Sequence, residues 1–254
     1  MRRTLLVPAF CVLVAVGPAA AQQTRRLPTM RQFPTVNVQR PAAVADAGFT
    51  ALRATLAAIA RRRSFVDLAG IVMGQGFFWT HGTTELADAK RSGPQILAAA
   101  LRLDEPSSVG WQRLADFAAE PGATPSSVSA AALCAPGKPK YVPGDFQELL
   151  EVTHTSAADW VYPRMPGVTL RAARRDDAQA VETLGNYLVR VLRFVTVAAN
   201  AAPLQTSWTR VAAPSGKIGY APPESLESLS AAQLCYAKDA AGKWLIAGFI
   251  AEGS

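Results

Sequence analysis

Two cysteines constrain this chain more than any other feature. Of its three, Cys11 falls in an N-terminal apolar run, which leaves Cys134 and Cys235 as an even pair. The run has the layout of an export signal. Arg2 and Arg3 precede an apolar stretch from Leu5 to Gly17, and Ala19-Ala20-Ala21 then predicts cleavage after Ala21. The apolar stretch is shorter than the roughly 20 residues a spanning helix needs. No transmembrane segment is therefore expected after signal cleavage, and the mature chain is expected to be periplasmic or secreted. An oxidising compartment favours a Cys134–Cys235 disulfide. It would close a loop of about 100 residues, worth about 4–5 kcal/mol in the chain-entropy model. Two buried free thiols are the competing reading.

The rest of the 254 residues divides by pattern. Half are hydrophobic and 18% are charged, which suits a folded chain. Residues 22–44 carry Arg25, Arg26, Arg31 and Arg40, no acid, and Pro28, Pro34 and Pro41. They read as a basic flexible arm. Residues 45–119 read as a small, mainly helical domain. Phe49, Leu52, Leu56 and Ile59 share one helical face. Ser64 and Asp67 mark a second helix start, and Ser92-Gly93-Pro94 a third. Trp111, Leu114, Phe117 and Ala118 form a further apolar helical face, while Phe77-Phe78-Trp79 reads as extended. Residues 120–159 read as a Pro/Gly/Ser-rich linker with a short helix starting near Asp145 and Glu148. From Trp160 onward short strands alternate with turns. They end in a hairpin, Leu234 to Lys238 and Trp244 to Ile250, around the turn Asp239-Ala240-Ala241-Gly242-Lys243.

The carboxy-terminal half resembles bacterial SH3-like (SH3b) domains. The carrying residues are Gly167-Val168-Thr169-Leu170-Arg171-Ala172, Val181-Glu182-Thr183-Leu184, Leu188-Val189-Arg190-Val191, Trp208-Thr209-Arg210-Val211 and Gly216-Lys217-Ile218-Gly219-Tyr220. Leu170-Arg171 stands where the family has V-R, and Ala221-Pro222-Pro223 follows Tyr220 where the family commonly has Val. The resemblance covers about 60 residues well, from Trp160 to Leu226. The whole mature chain is also similar to exported bacterial proteins with a helical N-terminal region, an SH3-like domain and a closing hairpin. Lys238 through Phe249 carries that ending. The expected fold is thus two-part α+β: a helical domain, then a C-terminal SH3-like β-barrel over residues 160–254 with an extra terminal β-hairpin.

A small barrel binds ligands through aromatic rings and loop polar groups. Trp160, Tyr162, Trp208 and Tyr220 are the candidate rings of a groove, with Arg171, Asp176 and Asp177 as polar partners. Packed barrel core is the competing reading for the rings. Chemistry is poorly provided for. His81 and His154 are the only histidines and have no metal-ligand spacing, so no metal or cofactor is expected. No nucleophile motif occurs. Asp67, Glu85, Asp88, Asp104 and Asp116 are the carboxylates on which a hydrolase would have to draw. The formal charge of +7 lacks an aromatic-laced basic motif, so nucleic acid is not an expected partner. SH3-like bacterial domains are commonly linked with cell-wall or peptide binding. The resemblance therefore implies an exported, non-enzymatic binding or scaffolding protein whose partner is peptidoglycan or an envelope peptide or protein. The alternative is a cell-envelope hydrolase with a helical catalytic region and an SH3-like targeting module.

Overall fold

The computed structural model describes residues 28–81, the backbone of 84–85, and residues 91–106, 109–192 and 208–252. The expected signal segment, 1–21, lies outside the described residues.

The helices form where the apolar period of 3.6 places them. Helix α1 is Ala47–Arg62, and its Phe49, Leu52, Leu56 and Ile59 are buried as one stripe. Asp46 caps it by accepting the backbone N–H of Phe49 at 3.0 Å. Helix α2, Phe65–Ala69, starts at the Ser64 cap, whose hydroxyl accepts from Asp67 N. Helix α3, Gly93–Leu101, opens with Gln95 Oε1 accepting from Ser92 N at 2.9 Å. Helix α4, Val109–Ala119, buries Trp111, Leu114 and Phe117. Helix α5 is Pro143–Thr153, with Pro at the start of its first turn.

The strands assemble into two sheets. The first has six: β1 (Phe78–His81), β2 (Thr84–Glu85), β3 (Thr124–Pro125), β4 (Leu133–Ala135), β12 (Gln233–Lys238) and β13 (Trp244–Ile250). Its order is β2-β1-β13-β12-β4-β3. The β12–β13 hairpin thus stands at the centre of this sheet. Strand β1 runs parallel to β13, with Phe78 opposite Gly248. A Cβ at Gly248 would strike the Phe78 ring, so the close approach needs glycine there. Helices α1, α3 and α4 cover one face, where Leu234, Tyr236, Ile246 and Phe249 join the helical apolar stripes in one core. Phe78, Cys134, Cys235, Ala247 and Ile250 form a smaller cluster of the same sheet.

The second sheet has seven strands: β5 (Trp160–Pro163), β6 (Thr169–Arg171), β7 (Ala180–Thr183), β8 (Val189–Val191), β9 (Thr209–Ala212), β10 (Ile218–Ala221) and β11 (Leu226–Ser228). Its order is β11-β5-β8-β9-β10-β6-β7. The expected SH3-like barrel is corrected here: this sheet does not close. Strands β11 and β7 are its two ends and do not pair with each other. The expected extra hairpin is not appended to it either, since β12 and β13 belong to the other sheet. The physical reason is that β5, beside the β11 edge, is buried on both of its faces. A small closed barrel alternates core and solvent along each strand, whereas all four residues of β5 are buried. Val161 enters a cluster with Leu170, Val189, Val211 and Leu226. Its neighbours Trp160 and Tyr162 enter another with Phe33, Val36, Val38, Phe146 and Leu149.

That second cluster accounts for residues 28–44. The described part of the expected flexible arm is a strap laid on the sheet. Met30 N donates to Gly216 O, Leu188 N to Val36 O and Val38 N to Asn186 O. Gly216 sits at φ +80, and a Cβ there would strike the Met30 carbonyl oxygen, so only glycine lets the strap dock at this point. Phe33 meets Trp160 edge-on, with ring centroids 5.2 Å apart. No described helix is long and apolar enough to cross a membrane.

Candidate functional site

The predicted groove separates into two places. Trp160 and Tyr162 lie under the strap and α5, and both are buried. They are core because residues 28–44 cover them, and nothing within β5 itself records that cover. Tyr220 and Arg171 do meet. They are direct cross-strand partners on β10 and β6, so both project from the same face. Arg210 of β9 stands opposite Tyr220 on its other side. Register carries the face on to Arg190 of β8, which is paired with Ala212. Arg174, from the β6–β7 turn, stacks its guanidinium 5.3 Å from the centre of the Tyr220 ring. Arg171 also donates to the Ala178 carbonyl at 3.2 Å, which steadies that turn. Asp176 and Asp177 are exposed in it, and Asp177 pairs with Arg175 at 3.3 Å. Trp208 is half-buried just before β9. The result is a half-exposed tyrosine among arginines on a sheet surface. Arg174, Arg190 and Arg210 were missed as site residues in the sequence. The signal available was the alternation of Arg190 and Arg210 with buried valines on neighbouring strands.

The second constellation was not legible at all. Arg164, just after β5, donates to Glu120 Oε2 at 2.9 Å and stands 3.1 Å from Glu227 Oε2. Glu227 lies on β11 and is 4% exposed. The Arg164–Glu227 contact is an ion pair without hydrogen-bond alignment, so this buried oxygen has no hydrogen-bond partner. Burial raises the Glu227 carboxyl to about 7, against the pull of Arg164. Beside it a cleft lined by Tyr162, Gln233, Ser228 and residues 136–139 admits about 10 Å³, room for one water molecule rather than a substrate.

Among the described residues, the carboxylates available to a hydrolase are not gathered. Asp67 pairs with Arg62 at 3.0 Å, Asp116 accepts from Gln112 within its own helix, and Asp104 is exposed. The side chains of Glu85 and Asp88 lie outside the described residues. His81 and His154 are both exposed, and no group of three His, Cys, Asp or Glu that could hold a metal occurs among the described residues.

Cys134 and Cys235 are disulfide-bonded. They are register partners on β4 and β12. The bond therefore ties the 120–145 segment to the centre of the first sheet.

Comparison with family models, with curated proteins and with solved structures gives no match.

Proposed function

We propose that the protein is an exported, non-enzymatic binding or scaffolding protein that takes a cell-wall component or an envelope peptide on the surface around Tyr220. The observation that carries this reading is Arg174 stacked on Tyr220 beside Arg171. Guanidinium groups give bidentate recognition of carboxylates, which both ligand classes carry, and a ring on a rigid sheet supplies contact area at small entropic cost. The Cys134–Cys235 bond supports an oxidising compartment, as does the pattern of residues 1–21.

The test is retention of the purified mature protein on peptidoglycan and on immobilised envelope extract. Retention on at least one is expected. Replacing Tyr220 and Arg174 together with alanine should reduce it about tenfold or more while leaving the melting curve within about 2 °C, as for a surface change. Retention on neither support overturns the reading, as does retention that the double variant leaves intact.

A further inference from the structure

We propose that Glu120, Arg164 and Glu227 form a proton-operated clamp between the two sheets, closed when Glu227 is protonated and loosened when it is ionised. The three residues come from both halves of the molecule. Glu120 follows α4, which packs on the first sheet, while Arg164 follows β5 and Glu227 lies on β11 of the second. Two carboxylates therefore compete for one guanidinium across the junction. Arg164 gives Glu120 a hydrogen bond and gives Glu227 only an unaligned ion pair. A neutral Glu227 carboxyl tolerates that position. An ionised one is a desolvated charge that the Ser228 backbone hydrogen bond offsets only in part, since Oε2 has no hydrogen-bond partner, and this is costly unless water reaches it.

Among the described residues, none besides Arg164 pairs its charge with Glu227. Arg40, from the strap, is committed to the Arg164 carbonyl at 3.0 Å. Lys138 stands at the rim of the cleft and is exposed. Glu252 adds a further negative charge from the C-terminal end. Burial pushes the Tyr162 phenol up, so it stays neutral. On the helical side Glu120 also faces Tyr236, which Arg53 faces as well. The cleft beside Glu227 is where added water would enter. Its walls are the 136–139 loop and the connection from β11 to β12, joined by the Gln233 side chain donating to Pro136 O at 2.6 Å. Loosening would therefore be felt in those two segments first. This inference is independent of what the Tyr220 surface binds.

Hydrogen exchange on the full chain, corrected for the intrinsic rate, tests it at the amides of Lys138 and of residues 228–233. If opening restores Glu227 to an ordinary value of 4.5 from about 7, the open fraction rises roughly tenfold between about pH 6 and pH 8. Glu227→Gln should abolish the rise. Glu120→Gln should move it to lower pH, because it removes a repelling charge and leaves Arg164 to Glu227 alone. Exchange that is flat with pH in the unaltered protein overturns the clamp. So does a rise that survives Glu227→Gln, or one whose midpoint Glu120→Gln leaves in place. If Glu227→Gln does not fold, the midpoint in Glu120→Gln decides by itself.

Discussion

Trp244 donates its indole N–H to Asp46 Oδ1 at 3.0 Å, across 198 positions of sequence. The same carboxylate caps α1 through Phe49 N and accepts from Lys238 Nζ at 3.0 Å. One side chain thus ends a helix and fastens it to both strands of the β12–β13 hairpin. These bonds, that to Phe49 N first, hold the Asp46 carboxyl down at about 2, below its ordinary 3.8. The stability this supplies is present above about pH 4 and is lost as the pH falls through about 2. Asp46→Ala should lower the thermal midpoint at neutral pH by about 2–4 °C, as expected for loss of a helix cap in a chain of this size. The difference from the unaltered protein should shrink toward pH 2. Calorimetry across that range checks it, and a difference that stays constant with pH would contradict the assignment.

The Cys134–Cys235 bond closes a loop with a sequence separation of 101. In the chain-entropy model its loss costs about 4–5 kcal/mol. Replacing both cysteines with alanine should lower the urea midpoint accordingly. Alkylation of the unreduced protein should label neither thiol, and full labelling of both would show that no bridge forms.

Tyr236 is wholly buried against Phe49, with ring centroids 5.1 Å apart, and its hydroxyl has no hydrogen-bond partner. An unpaired buried hydroxyl costs about 1–3 kcal/mol. Tyr236→Phe keeps the ring packing and removes that group, so it should stabilise the protein by about 1 kcal/mol. Urea unfolding measures it. A loss of stability would mean that the hydroxyl has a partner in solution.

Phe33 anchors the strap against Trp160. Phe33→Ala should cost about 3–5 kcal/mol, as for other large core truncations, and should expose Trp160 to water. A red-shifted tryptophan emission under native conditions would report that exposure. A cost below about 1 kcal/mol would be that of a surface substitution and would mean that residues 28–44 are not part of the core.

The helices were legible because their signal is local. Phe49, Leu52, Leu56 and Ile59 recur at the helical period, and Ser64 and Ser92 stand where an N-cap must. The hairpin was legible too, since Asp239 accepts from Ala241 N and Lys243 N inside its own turn. Its place was not. Phe78 pairs with Gly248 across 170 positions of sequence, and no pattern within either strand names the other. The groove failed for a related reason. Aromatic residues at alternating positions look the same whether a strap covers them or water does, so Trp160 and Tyr220 read alike in sequence and differ in the fold.

The sequence by itself determined the main helices and the closing hairpin, and it offered Cys134 and Cys235 as an even pair. These follow from periodicity, capping chemistry and cysteine count, all readable within a short window or by counting. Only the tertiary structure decided that the second sheet stays open, that residues 28–44 cover Trp160 and Tyr162 on it, and that Glu227 is buried beside an arginine it shares with Glu120. Each of those depends on which distant surfaces meet. That choice is made by the burial of apolar area from the whole chain at once, and not by any stretch of it.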